Sequence, residues 1–139
     1  MQIKYFEYTV MSDEECECGS LIALEENKNI PFGIKRVFYI YGVDTTVSRG
    51  AHAHKNSNQI LIAVHGSCEI VFDDGTQKEK ILLDSPNKGI LQEKMIWGEM
   101  QHFSKDCVLM VLSDSFYDTN DYLRDYDEFL ELCVCKGAL

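Results

Sequence analysis

Proline is scarce, with two in 139 residues, which excludes an extended proline-rich or collagen-like chain. Long apolar runs are missing as well. None approaches the roughly 20 residues that a bilayer-spanning helix needs. The start, Met1-Gln2-Ile3-Lys4-Tyr5-Phe6-Glu7, lacks the basic stretch and apolar core of a secretion signal. These absences lead us to expect a soluble, cytoplasmic protein with no membrane partner. Positive charge is also short: 13 Lys and Arg face 23 Asp and Glu, a formal net charge of −10. Nucleic-acid binding depends on many cations that displace counterions, so no nucleic acid is expected as a partner. A small anionic substrate stays open, because a few local cations in a cleft can focus a field opposite to the net charge.

Cysteine is present six times, at 16, 18, 68, 107, 133 and 135, but without metal-binding spacing. Cys16-Glu17-Cys18 and Cys133-Val134-Cys135 have one intervening residue, where a zinc knuckle has two to four. With no secretion signal, reduced thiols are expected. At 45% hydrophobic residues, a chain of this length buries roughly two-thirds of its unfolded surface and needs no disulfide or metal to fold. A single domain over 1–139 is expected, since no linker, repeat or low-complexity tract interrupts it.

Up to about residue 113, short apolar stretches of period two follow one another across polar turns, the pattern of an all-β chain. Ile34 to Tyr41 reads as a strand, as do Gln59 to Val64 and Cys107 to Leu112. Cys68 to Phe72, the turn Asp73-Asp74-Gly75 and the return Lys80 to Leu83 give the strongest hairpin pattern, because Asp-Gly readily takes positive φ. Asp84 to Gly89 reads as a loop. The period then changes: Tyr122, Leu123, Tyr126, Phe129, Leu130 and Cys133 form a helical stripe that Asp118 or Thr119 is placed to cap. Many strands and one final amphipathic helix predict a β-sandwich or jelly roll with a C-terminal helix against it.

The densest chemical pattern is Ser48-Arg49-Gly50-Ala51-His52-Ala53-His54-Lys55. On an extended strand His52 and His54 share a face, while Ala51, Ala53 and Lys55 turn the other way. Two imidazoles then meet near a fixed cation, Arg49, at a glycine that admits close backbone approach. Two half-exposed strand histidines are the plainer alternative. His-x-His in an all-β chain also fits the cupin metal site, but the position for its Glu reads Gln59 and the position for its later His reads Gly98. Two ligands of four do not hold a catalytic metal tightly. No metal and no other cofactor is therefore expected, and the histidines are assigned acid/base work.

Four blocks in order carry a family resemblance: Gly19 to Phe32, Ile34 to Ile40, Arg49-Gly50-Ala51-His52-Ala53-His54-Lys55, and Tyr117 to Asp127. Together they resemble the sugar 3,4-ketoisomerases, cupins that act on thymidine-diphosphate-linked 4-keto-6-deoxyglucose. The resemblance implies a homodimer with exchanged strands, a dTDP-linked keto sugar in the barrel mouth, and movement of the carbonyl from C4 to C3. By family position His52 is the principal base, His54 relays or returns the proton, and Tyr39 is a candidate donor to the enediolate. Arg36 and Arg49 are candidates for the diphosphate, since a guanidinium grips phosphate through two bonds. Cys18 and Gly98 stand at substrate positions where related enzymes carry larger residues, Arg or Tyr and His or Arg. Gln101 or His102 is a candidate to take over the missing side chain's work. Trp97 is read as core rather than a thymine platform. Rival readings are a 3,5-epimerase of the same substrate class, which shares Arg49-Gly50-x-His52, a non-catalytic nucleotide-sugar-binding cupin, and a metal-dependent dioxygenase.

Overall fold

Alternating apolar residues build strands here because each strand buries one face and leaves the other to solvent or to a covering segment. The structure, a computed structural model, describes residues 1–13 and 15–137. In chain order the strands are β1 (Tyr5–Glu7), β2 (Met11–Ser12), β3 (Ser20–Leu21), β4 (Arg36–Tyr41), β5 (Arg49–His54), β6 (Gln59–His65), β7 (Cys68–Asp73) and β8 (Lys78–Leu83). They continue with β9 (Lys88–Gln92), β10 (Trp97–Gln101), β11 (Val108–Ser113) and β12 (Tyr122–Leu123), before the helix α1 (Tyr126–Gly137). One five-stranded antiparallel sheet has the order β1-β9-β6-β11-β4 and the other β12-β5-β10-β7-β8. The expected all-β jelly roll with a C-terminal helix is the fold observed.

Side chains from both sheets meet in the core, among them Leu61, Ile70, Phe72, Ile90, Leu109 and Val111, each essentially inaccessible. Burying one such side chain is worth roughly 1.5–3 kcal/mol. A second cluster, of Ile60, Ile62, Leu112, Tyr8 and Ile30, lies on the other face of β6 and β11, under the segment that precedes β4. The outer face of β5 and β10 is closed by α1, where Ala53 and Trp97 pack against Leu123 and Phe129. Trp97 is core, as expected. With Ala53 turned out under the helix, strand alternation turns His52 and His54 inward.

Three local expectations need correction. Tyr122 and Leu123 are not helical; they form β12, pairing with His54 and Ala53 on the edge strand β5. Capping explains the difference. Asp118 caps a 3₁₀ turn over Thr119–Asp121 through the Asn120 N–H, while Asp125 caps α1, accepting from the Asp127 N–H at 2.9 Å and the Glu128 N–H at 3.3 Å. The β7–β8 hairpin closes one step later than the Asp-Asp-Gly turn, with Asp73 opposite Lys78. Asp74 Oδ1 gathers the Thr76 and Gln77 N–H groups at 2.8 Å each and sets that wider loop. Lys88 and Gly89, read as loop, already belong to β9.

Cys16 and Cys18, expected as reduced thiols, are joined by a disulfide, with Cα atoms 5.2 Å apart and therefore close enough to bridge. Cys68 and Cys107 are buried free thiols; the side chain of Cys135 lies outside the described residues. Among the described residues no helix is long and apolar enough to cross a membrane.

Candidate active site

A backbone irregularity aims the histidines. In the β5–β10 pairing Gly98 faces His52 and Glu99 faces Gly50, so Ala51 is an extra residue on β5, a bulge. Gly50 and Ala51 take φ of 86° and 58°. A Cβ on Gly50 would stand 2.9 Å from the Gly98 carbonyl oxygen, so the strand crossing needs glycine there. Beyond the bulge, His52 and His54 point into a cavity of about 260 Å³, with Phe38 and Ile40 of β4, Gln59 of β6 and Met100 of β10 among its walls. Tyr122, Arg124 and Arg49 also line it.

The two imidazoles lie edge to face, with centroids 4.9 Å apart. Tyr122 packs against both, 4.9 Å from His52 and 4.7 Å from His54, and the Arg124 guanidinium sits 4.7 Å from the Tyr122 ring centre. His54, 2% exposed, is hydrogen-bonded through Nδ1 to Asp121 Oδ2 at 2.9 Å. Asp121 also accepts from the Ser57 hydroxyl at 2.5 Å and the Asn56 N–H at 2.7 Å. Among the described residues, His52 Nδ1, His54 Nε2, Gln59 Nε2 and Arg36 Nε are buried with no hydrogen-bond partner. Such concentrated lack of satisfaction is costly in a core and usual at a functional site.

Electrostatics keep both rings neutral. Burial, then the neighbouring His54, push the His52 pKa down to about 4, and Arg124 adds to the effect. Burial lowers His54 too, and the Asp121 carboxylate opposes the shift. Burial pushes the Asp121 carboxyl up, but donors from Ser57, Asn56 and His54 outweigh it and hold the group below the usual carboxylate range.

The cavity unites some of the residues expected from sequence and leaves others out. His52 and His54 share it, and exposed Arg49 stands at its rim. Arg36, on the β4 face shared by Phe38 and Ile40, is close enough to His54 to act on its charge, and it stacks over Phe38 and Tyr117 at 5.1 and 5.6 Å. Tyr39 is corrected: period-two alternation turns it to the opposite face of β4, 64% exposed and stacked with Tyr41. Cys18 sits in the exposed connection between β2 and β3 and does not line the cavity.

Gly98 is buried beside His52, but the volume its side chain would take is filled by the Gln92 amide, whose nitrogen would be 2.6 Å from an added Cβ. Gln101 donates to Glu69 and His102 is 71% exposed, so neither reaches the histidines. Asp121, Tyr122 and Arg124 are the residues that sequence reasoning missed. They fall inside the C-terminal block quoted above, and a helical reading of Tyr122-Leu123 hid the alternation of Tyr122 and Arg124 on the cavity side. Among the described residues no three His, Cys, Asp or Glu side chains converge as metal ligands.

Comparison with known proteins is consistent with this geometry. Residues 1–134 match the family described as FdtA, WxcM-like, C-terminal. A TDP-4-oxo-6-deoxy-alpha-D-glucose-3,4-oxoisomerase of Aneurinibacillus thermoaerophilus is 51% identical over 111 residues, 80% of each chain. The crystal structure of a 3,4-ketoisomerase from Helicobacter canadensis is 47% identical, with a TM-score of 0.91 over 96% of this chain and 98% of that one. A mutant 3,4-ketoisomerase from Thermoanaerobacterium thermosaccharolyticum, solved with TDP-4-keto-6-deoxyglucose, is 34% identical, with a TM-score of 0.89 over 94% and 93% of the two chains. With paired inward histidines on a bulged cupin strand and likeness along nearly its whole length, the chain belongs to the FdtA family of sugar 3,4-ketoisomerases.

Proposed function

We propose that this protein is a metal-independent isomerase that converts dTDP-4-keto-6-deoxy-D-glucose to a dTDP-3-keto-6-deoxyhexose. The observation that carries the reading is the pair of inward imidazoles, both kept neutral, in a cavity rimmed by guanidinium groups. The C4 ketone acidifies the C3 proton. His52 removes it, the electron pair flows to the C4 oxygen, and an enediol forms. Reprotonation at C4, with loss of the proton from the C3 hydroxyl, leaves the ketone at C3 and the formula unchanged. His54 relays or returns the proton, and Arg49 and Arg36 take the diphosphate. Positioned acid and base groups each contribute about 10²- to 10⁴-fold, and donors to the enediolate oxygens add electrostatic stabilisation. The donor set suits a reaction without a metal, since Gln59 offers the cavity only a neutral amide.

Placement in the cell and assembly follow from the same reading. The enzyme works in the cytoplasm as one domain, supplying a 3-keto sugar nucleotide for a 3-amino-3,6-dideoxy sugar of a surface glycan. It acts as a strand-exchanged homodimer, which suits the exposed apolar side chains of Val10, Met11 and Leu21 at the small β2–β3 sheet and of Val37, Tyr39 and Tyr41 on β4. Substrate labelled with ¹³C at C4 tests the reaction. Isomerisation converts the labelled ketone to a carbinol carbon, whereas a 3,5-epimerase leaves it a ketone; a label that stays a ketone rejects the proposal.

Two smaller results follow. Because the His52 pKa is depressed, the ring stays unprotonated as pH falls, so the limb of kcat/KM that belongs to His52 lies at about pH 4, not near the ordinary imidazole value of about 6.5. An acid limb near that ordinary value in a pH–rate profile would contradict the desolvated setting of His52. Tyr39→Phe keeps kcat within about twofold in steady-state assays, since the hydroxyl lies off the cavity. A hundredfold loss would return Tyr39 to the site.

A further inference from the structure

The Asp121 carboxylate lies behind the histidine pair and outside the lining of their cavity, yet it is tied into the site by three hydrogen bonds. Resting on the ketoisomerase reading, we propose that Asp121 is a positioning residue: it fixes His54 as the Nδ1–H tautomer and stabilises its imidazolium while the proton is in transit. An ionised carboxylate only accepts hydrogen bonds. Since Ser57 and the Asn56 N–H already hold Asp121 in the charged form, the 2.9 Å contact must be His54 Nδ1–H donating. The lone pair then sits on Nε2, which has no partner among the described residues, on a ring that packs edge to face with His52 and tilted against Tyr122.

Charge makes the arrangement necessary. The groups that act on His54 are His52 on its own strand, Tyr122 from β12, Arg36 from β4, Arg124 just after β12, and Asp121. Both arginines disfavour a proton on the imidazole, as does burial, and Asp121 supplies the opposing negative charge. His54 can therefore accept a proton from the enolisation and release it again, with Asp121 remaining ionised throughout. The 3₁₀ turn places the carboxylate: the Asp121 carbonyl accepts from the Lys55 N–H at 2.8 Å, which locks the turn to the end of β5.

Asp121→Asn tests the role, because it keeps shape and removes charge. The expected result is a kcat loss of about 10²- to 10⁴-fold with KM within about threefold. The pH-profile limb that belongs to His54 moves to lower pH, since the group that opposed its depression is gone. A packing defect alone would not move that limb. Nitrogen-15 NMR of histidine-labelled wild-type enzyme reads the tautomer directly and is expected to show His54 protonated at Nδ1. A folded Asn variant with kcat within about threefold and an unchanged pH profile overturns the proposal. A wild-type His54 protonated at Nε2 overturns it as well, and that measurement decides the matter if the variant does not fold. A wild-type enzyme that never moves the C3 proton would instead defeat the ketoisomerase reading, and with it the role of Asp121 in turnover, while leaving the tautomer result intact.

Discussion

His52→Asn lowers kcat by at least about 10³-fold while TDP affinity stays within about threefold. Asparagine approximates the size and polarity of the imidazole and sits on the same bulged strand, so the cavity keeps its walls. It has no basic lone pair at neutral pH, and proton abstraction from C3 is the step it cannot perform. The depressed pKa of His52 reports the same environment: burial and neighbouring positive charge keep the ring neutral and ready to accept a proton. Steady-state kinetics beside TDP titration calorimetry checks the prediction. A wild-type rate in the Asn variant would remove His52 as the base, and lost nucleotide binding would mean that the ring also builds the substrate site.

Gly50→Ala damages the same site through the backbone. At φ of 86° an L-residue is strained, by roughly 1–2 kcal/mol, and the new methyl would stand 2.9 Å from the Gly98 carbonyl oxygen. That neighbour is backbone in the paired strand β10, so relief requires opening the β5–β10 ladder at the residue opposite His52. We expect a loss of about 2–4 kcal/mol in stability and a melting point lower by roughly 10 °C. Because a shift of about 1 Å in a catalytic group costs on the order of 10²-fold, kcat falls as well, even in the protein that remains folded. Thermal unfolding and initial rates on one preparation check both. An unchanged melting point with full activity would show that the bulge does not set the position of His52.

Much of this was legible in the chain because period-two alternation and one short motif state their own geometry. β4, β6, β7 and β11 appeared within one or two residues of their ends, and His52 and His54 on one face followed from spacing alone. Part of the rest depended on contacts between segments distant in sequence. Tyr122-Leu123 fits a helical stripe, and only the unpaired edge of β5 makes it a strand. Asp121 sits 67 residues from His54, so no local pattern announces the pair. Family position points to Tyr39, whereas the alternation of β4, itself legible in the sequence, puts Phe38 and Ile40 at the cavity instead. Gly98 looked like a missing side chain, but Gln92, from the facing sheet, fills the space.

The central claim is that this cavity removes the C3 proton of a 4-keto sugar nucleotide and reprotonates C4. Proton NMR of the purified protein with TDP-4-keto-6-deoxyglucose in deuterated buffer reads both events at once. The account predicts loss of the C3 proton signal together with a newly formed C4 centre carrying hydrogen or deuterium. A sample that binds TDP yet leaves the C3 proton in place would contradict it and make the protein a nucleotide-sugar-binding cupin.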